Sequence, residues 1–158
     1  MVWFIKDNPF RFEKLRLQRP IEIVVAYSGI PSDTAKAVAG VKERMRRFRE
    51  RDERIFREAQ ELAENARTAI KTGDLRTLGE LMNQNHRLLQ QIGVSCAELD
   101  RMVELARGAG AMGAKLTGGG LGGCIVALTP GRETQEHVAE KLEQEGYLTV
   151  CTVVGGKT

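Results

Sequence analysis

The sequence predicts an α+β domain of the ferredoxin-like type, with a four-stranded antiparallel sheet in the order β-α-β-β-α-β. Three observations predict it. A β-branched run, "IEIVVAY", occupies residues 21–27, and two apolar runs at 112–117 and 124–128 are separated only by a glycine cluster. A last apolar run, 147–154, follows a charged helical segment. The connection between the first two strands is longer than the single helix of the basic pattern, because its residues are enough for about four helices.

The segment before the first predicted strand forms a separate lead-in, residues 1–20. Its aromatic and aliphatic residues suit one or two short strands, but Pro9 and Pro20 interrupt any longer element. The first strand of the sheet ends at Ser28 and Gly29, which are typical turn residues. We therefore divide the chain into a lead-in, 1–20, and a domain, 21–158.

Apolar residues at helical spacing predict two helices after this strand. The first stripe contains Val38, Val41, Met45 and Phe48, and the second contains Ile55, Ala59, Leu62, Ala66 and Ala69. Residues 49–54 are all charged, which favours a bend between two helices over one long helix. A plain amphipathic hairpin or coiled coil is the alternative interpretation of this segment.

Two further helices precede the second strand. Asp74 is a predicted N-cap for the third helix, and Gly93 ends it. Ser95 and Glu98 have the spacing of a capping box for the fourth helix, which runs to Arg107. The inward face of the third helix is predicted to contain Leu75, Leu78, Leu81, Met82, Leu88 and Leu89.

The end of the chain reads as a turn, a helix and a strand. Pro130 and Gly131 turn the chain, residues 133–145 form a charged helix, and Gly146 ends it. The apolar run 147–154 is then the fourth strand of the sheet.

Composition excludes several classes of function. The chain has 158 residues, a net charge of +3, 42% hydrophobic and 28% charged residues. This charge is too small to indicate nucleic-acid binding, and no apolar run reaches the ~20 residues of a membrane span. Cys96, Cys124 and Cys151 are far apart, so we predict no metal site and a reducing cytoplasm.

The most informative segment is the glycine cluster between the second and third strands. Five glycines in six positions exceed what a tight hairpin needs, so the backbone there is expected to approach another surface closely. Lys115 and Thr117 lead into it, and a cation and a hydroxyl suit a phosphorylated ligand. A close-packed hairpin without a ligand is the alternative. The glycines are Gly118, Gly119, Gly120, Gly122 and Gly123.

The ten residues Lys115 to Cys124, "KLTGGGLGGC", resemble the third motif of the GHMP small-molecule kinases. The segments Asn83–Arg107 and Val24–Val41 are similar to the corresponding parts of the mevalonate kinases within that family. The resemblance extends over about residues 1–155. It implies the C-terminal domain of an enzyme that uses ATP and Mg²⁺ to phosphorylate a small alcohol, and mevalonate, on the route to isoprenoids, is the expected acceptor.

The resemblance also implies roles for particular residues. The five glycines would be close-approach backbone, Lys115 and Thr117 would lie near phosphate or substrate, and Thr34 matches a threonine near the acceptor. The family usually has a basic residue after that threonine, whereas this chain has Ala35 and then Lys36. It more often has Ala or Ser at Gly119, a departure that we expect to be harmless.

Other family features are not found in these residues. The second motif, a Pro-x-x-Gly-Leu-x-Ser-Ser-Ala phosphate loop with its accompanying Asp and Lys, does not occur. His86 and His137 lie in predicted helices and are interpreted as structural, so no catalytic residue is assigned. We expect an N-terminal kinase lobe, in cis or in trans, to bind most of the ATP and Mg²⁺ and to pair with residues 1–20.

We accordingly expect the chain alone to be inactive. The alternatives are a stand-alone ferredoxin-like module that binds a metabolite or forms a homodimer, and a GHMP kinase for another acceptor, such as phosphomevalonate or a sugar.

Overall fold

The computed structural model describes residues 2–5 and 9–155 and confirms the predicted fold class. Four strands form an antiparallel sheet in the order β4-β5-β3-β6, and a separate two-stranded sheet pairs β1 with β2. The strands are β1 Val2–Ile5, β2 Arg11–Lys14, β3 Ile21–Tyr27, β4 Gly113–Thr117, β5 Cys124–Leu128 and β6 Leu148–Val154. The helices are α1 Thr34–Arg47, α2 Arg49–Thr72, α3 Leu75–Gln91, α4 Ala97–Gly108 and α5 Arg132–Gln144.

One face of the four-stranded sheet forms the main core with α4 and α5. Val24 and Ala26 of β3 are fully buried on this face, as are Leu99 of α4 and Leu142 of α5. Side chains alternate between the two faces of a strand, so Ile23 lies on the opposite face. There it packs against a second cluster from α2 and α3, so the helices reach both faces of the sheet.

Helix α3 lies against the open edge of β4, where another strand would otherwise pair. Its approach depends on Gly79, because a Cβ there would be 2.5 Å from the Met112 carbonyl oxygen. At this separation the Asn83 side-chain oxygen accepts a hydrogen bond from the Ala114 amide, at 3.0 Å. Side chains of a helix therefore satisfy edge amides that would be costly to bury unpaired.

Helices α1 and α2 are separate, as predicted, and Phe48 lies at the break between them. The apolar stripe of α1 is only partly buried. Val38 is 49% exposed and Phe48 is 52% exposed, and only Ala37 of this helix is buried. The periodic pattern identified a helix correctly, and its half-buried Val41 packs against the cluster of Ile55, Leu88 and Ile92.

The two predicted helix starts at α3 and α4 have different outcomes. Asp74 caps α3, and its side chain accepts from the Thr77 amide at 3.0 Å. The predicted capping box at α4 is wrong, because Cys96 is the N-cap residue and makes no side-chain cap. The Ser95 hydroxyl instead donates to Asp100, and Glu98 accepts from the Tyr147 hydroxyl.

The lead-in forms the predicted short strands, β1 and β2, which pair with each other in antiparallel fashion. Glu13 of β2 accepts hydrogen bonds from Arg67 and Lys71 of α2, which lowers the pKa of this carboxyl. The pairing of this segment with an N-terminal lobe stays a prediction. Within the described residues, no helix combines the length and apolar character that a membrane span requires.

Candidate functional site

The loop Gly118–Gly123, which joins β4 to β5, is the candidate site, and its backbone explains most of its glycines. Four of them have positive φ, between 81° and 128°, a region that residues with a Cβ seldom adopt. Leu121 lies between them with φ 54°, and among the described residues it is the only non-glycine with positive φ. Strained backbone of this kind persists only where the surroundings determine it strongly.

The connection from β3 to α1 holds one side of this loop. The Gly123 amide donates to the Ile30 carbonyl at 2.7 Å, and the Gly123 carbonyl accepts from the Ser28 amide at 2.9 Å. The Ser32 hydroxyl donates to the Gly120 carbonyl at 3.0 Å. These hydrogen bonds join loop residues to a segment about 90 positions earlier in the chain. Sequence reasoning missed Ser32, because only the three-dimensional fold brings it to the loop.

Thr34, the first residue of α1, lies directly against Gly119. A Cβ at Gly119 would be 2.2 Å from the Thr34 hydroxyl oxygen and 2.9 Å from its Cβ. Gly119 is therefore needed for space alone, whereas the other four glycines of the loop have positive φ. The structure brings Thr34 and the glycine loop together, as a shared site requires, and the role of Thr34 toward a substrate stays a prediction.

This contact predicts that Gly119→Ala displaces Thr34. The backbone at Gly119 can accommodate alanine, so the cost is overpacking, about 1–3 kcal/mol in the free energy of unfolding. Urea unfolding of Gly119→Ala, Thr34→Ala and the double variant would measure the coupling. Partial recovery of stability in the double variant is expected, and strictly additive losses would contradict the contact.

Val94, at the end of the α3–α4 connection, holds the other side of the loop. Its carbonyl accepts from the Leu121 amide at 2.8 Å. A Cβ on Gly120 would come within 2.2 Å of the same carbonyl oxygen. The loop is thus clamped between two connections of the domain, so the alternative of a close-packed hairpin accounts for part of its glycine content.

Several backbone donors of the loop make no hydrogen bond within the described part of the chain. They are the amides of Gly118, Gly119, Gly120 and Gly122. At the adjacent start of α1, Asp33 accepts from the Lys36 amide at 2.9 Å and caps the helix. Backbone N–H groups beside the N-terminus of a helix are a common arrangement for binding anions, phosphate in particular.

Lys115 and Thr117 occupy the same face of β4, with different surroundings. Thr117 is exposed at the end of the strand, next to the loop. Lys115 lies about 6.6 Å further back along β4. Its ammonium donates to the Leu116 carbonyl at 2.9 Å, and burial lowers its pKa. Lys115 faces a cleft of about 230 Å³ beside Trp3 and Asn85, so the described contacts do not bring its ammonium to the glycine loop.

Two side chains next to β4, half-buried Asn83 and buried His86, were not predicted to contribute to this region. Asn83 and His86 of α3 accept hydrogen bonds from the β4 amides of Ala114 and Leu116. They follow Gly79 by four and seven residues, a helical spacing visible in the sequence, but a helix along a sheet edge leaves no recognisable local pattern.

The described residues provide no cluster of three His, Cys, Asp or Glu side chains that could hold a metal ion. The cysteines Cys96, Cys124 and Cys151 are all free thiols.

Comparison with known proteins identifies consistent similarities. A family model described as GHMP kinases C terminal matches residues 66–148. The chain is 42% identical over 156 residues to a mevalonate kinase of Pyrococcus horikoshii, covering 96% of this chain and 46% of that protein. It is 44% identical over 110 residues to a mevalonate kinase of Methanothermobacter thermautotrophicus, covering 70% of this chain and 36% of that protein.

Solved structures agree with the sequence matches. L. major mevalonate kinase in complex with R-mevalonate superposes with a TM-score of 0.88 at 34% identity, over 92% of this chain and 45% of that one. Streptococcus pneumoniae phosphomevalonate kinase has a TM-score of 0.79 at 14% identity, over 94% of this chain and 45% of that one, which shows a shared fold. The chain spans about half the length of the relatives it matches.

Proposed function

The chain belongs to the GHMP kinase family and has the fold of its C-terminal domain, and from this premise we propose that it works in ATP-dependent phosphorylation of mevalonate. The observation that carries the proposal is the 42% identity to a mevalonate kinase, which extends over 96% of this chain. The product would be 5-phosphomevalonate, an intermediate of isoprenoid biosynthesis made in the cytoplasm. Phosphomevalonate or a sugar as acceptor is less well supported, because the similarity at 42% is to a mevalonate kinase.

The geometry of the glycine loop supports a role in phosphoryl transfer. Phosphoryl transfer depends mainly on positioning and on stabilising negative charge, so a protein contributes through fixed donors more than through covalent chemistry. The unpaired amides of Gly118, Gly119, Gly120 and Gly122 are such donors, and the clamps on the loop fix their positions. Donors that are already oriented need no reorganisation when charge develops on the phosphoryl oxygens.

The side chains beside the loop suit the acceptor end of the reaction. The hydroxyls of Thr34 and Thr117 can donate to or accept from a substrate alcohol. We infer that these two residues orient the acceptor against the loop. Lys115 could contribute a positive charge only if its ammonium left the Leu116 carbonyl.

The remaining parts of the reaction need groups outside this domain. ATP would supply the phosphoryl group, and Mg²⁺ would neutralise part of its charge when bound. The described residues offer no set of carboxylates for this metal, so we assign it, the catalytic base and most ATP contacts to an N-terminal kinase lobe. That lobe could be joined to this domain or supplied as a second chain, and β1 and β2 would lie at the junction.

A chimeric enzyme tests the proposal directly. This chain would replace the matching region of the Pyrococcus horikoshii mevalonate kinase, and ADP release would be measured with mevalonate, phosphomevalonate and galactose. We expect the chimera to phosphorylate mevalonate and the isolated chain to phosphorylate none of the three. The same chimera carrying Gly120→Ala is the control for dependence on the loop.

Each result has a clear meaning. Phosphorylation of mevalonate by the purified chain alone would disprove the need for an N-terminal lobe. A folded chimera that prefers phosphomevalonate or galactose would replace the proposed acceptor, and a folded chimera without any transfer would contradict the proposed function.

A further inference from the structure

His86 has a single neutral form that fits its surroundings. It is 4% exposed, and its Nδ1 accepts from the Leu116 amide at 3.3 Å. Nδ1 must therefore be unprotonated, so Nε2 carries the hydrogen and donates to Asp100, 3.1 Å away. Two hydrogen bonds from opposite sides of one ring thus join β4 to α4. The Leu116 end lies two residues before Gly118, where the glycine loop begins.

Asp100 connects this histidine to the far side of the same loop. The carboxylate accepts from the Ser95 hydroxyl as well as from His86, on the same oxygen atom. Ser95 directly follows Val94, whose carbonyl holds the Leu121 amide at 2.8 Å. These contacts therefore connect Leu116, in the strand that leads into the loop, to Leu121 in the middle of the loop.

We propose that His86, Asp100 and Ser95 are positioning residues that hold the glycine loop in the conformation seen here. They touch no substrate in this proposal and act through Leu116 and Val94. The inference concerns the loop conformation, and only its importance for phosphoryl transfer rests on the proposed function.

The argument depends on how much support the loop needs. Leu121 occupies a backbone region that is unfavourable for an L-residue, and Gly120 fits only because it lacks a Cβ beside Val94. A loop with such backbone relaxes when one of its anchors moves. Because His86 links Leu116 to Asp100, and Asp100 links through Ser95 to Val94, each hydrogen bond of the His86 ring supports a different end of the loop.

The charge state of His86 gives the network a dependence on pH. Burial lowers the pKa of His86 from its ordinary value of 6.5, and this effect exceeds the opposite effect of Asp100. Lys115 on β4 and Arg107 on α4 also lower this pKa. The stabilisation is fully present above pH 6.5 and is lost as the pH falls through the folded-state pKa. In the protonated ring Nδ1 carries a hydrogen and can no longer accept from the Leu116 amide, so this hydrogen bond is lost.

Two substitutions separate the two hydrogen bonds of the ring. In His86→Asn the side-chain oxygen can replace Nδ1, so the bond to Leu116 is kept and that to Asp100 is lost. In His86→Gln the longer amide can replace Nε2, so the bond to Asp100 is kept and that to Leu116 is lost. The exposed histidine provides the control His137→Gln, which changes neither bond.

Amide hydrogen exchange of the 158-residue chain, measured by NMR, is the test. Loss of one hydrogen bond should accelerate exchange about five-fold at the residues it supports. We expect His86→Asn to accelerate exchange of Leu121, His86→Gln to accelerate that of Leu116, and His137→Gln to change neither. The amide of Val126, within β5, reports global unfolding, and its exchange should accelerate less than that of the affected loop amide.

The wild-type chain gives an independent readout if a variant does not fold. Its imidazole ¹⁵N shifts should show the Nε2–H form, and the Leu116 and Leu121 amide shifts should titrate together with His86 below pH 6.5. Equal acceleration at Val126 and Leu121 would show a merely structural role and overturn the proposal. Leu116 and Leu121 amide shifts that do not change as His86 titrates would also overturn it. Neither measurement uses phosphoryl transfer, so this failure is distinct from failure of the proposed function.

Discussion

Gly120→Ala is expected to lower the free energy of unfolding by roughly 2–5 kcal/mol, about twice the effect of the same substitution at Gly118. Both glycines have positive φ, 81° and 87°, so alanine at either pays about 1–2 kcal/mol for backbone conformation. Only Gly120 lies against other backbone. Its Cβ would be 2.2 Å from the Val94 carbonyl oxygen, which adds overpacking of about 1–3 kcal/mol. Gly118 has no atom within 4 Å of such a Cβ and is the matched control.

Urea unfolding of both variants, followed by circular dichroism, gives the difference. Unchanged m-values would show that the denatured state is the same and that the comparison concerns the folded state. Equal losses at Gly118 and Gly120 would mean that backbone conformation alone explains the glycines and that the Val94 clamp does not exist. The NMR shift of the Leu121 amide should change in Gly120→Ala and stay unchanged in Gly118→Ala.

This difference between two glycines shows what sequence reasoning could reach. The cluster itself predicted close approach of backbone, because five glycines in six positions exceed what a tight hairpin needs. It could not predict which surface is approached. Gly119 contacts Thr34 and Gly120 contacts Val94, and both contacts depend on how separate connections meet after folding. Local composition records the need for space but not the identity of the neighbour.

The helices show the same division between local and tertiary information. Asp74 capped α3 as predicted, because a cap uses only its own helix. Ser95 and Glu98 had the spacing of a cap, yet Asp100 and Tyr147 bind their side chains instead. A side chain with two possible partners takes the one that the assembled core offers, and the sequence gives no measure of that competition.

Helix α1 is a further case, since its apolar spacing predicted the helix but not that Val38 and Phe48 stay exposed. Ala37 is its one buried residue and Val41 packs against the cluster of Ile55, Leu88 and Ile92, so polar contacts at its two ends supply much of its remaining attachment. Ser32 and Thr34 hold its beginning to the glycine loop. Arg44, one turn before its end, donates to the Gln91 carbonyl at 2.5 Å and lies 4.0 Å from Asp52 of α2.

Arg44→Ala is therefore expected to cost about 3–5 kcal/mol of unfolding free energy. Asp52 is completely buried, and neither of its carboxylate oxygens makes a hydrogen bond within the described residues. Arg44 is the cation beside it, and removing one partner of a buried pair leaves an uncompensated charge. The side chain of Arg46 on the same helix is 82% exposed, so Arg46→Ala should change stability by no more than about 0.5 kcal/mol.

A double variant separates the charge from the packing of the Arg44 side chain. Asp52→Asn removes the carboxylate charge with little change of shape, so Arg44→Ala with Asp52→Asn should be more stable than Arg44→Ala alone. Urea unfolding of the four variants measures this coupling. A loss in Arg44→Ala no larger than in Arg46→Ala would show that the buried carboxylate needs no cation. Helix α1 begins at Thr34, whose hydroxyl lies against the glycine loop. A larger loss in Arg44→Ala than in Arg46→Ala would show that Arg44 attaches the other end of this helix.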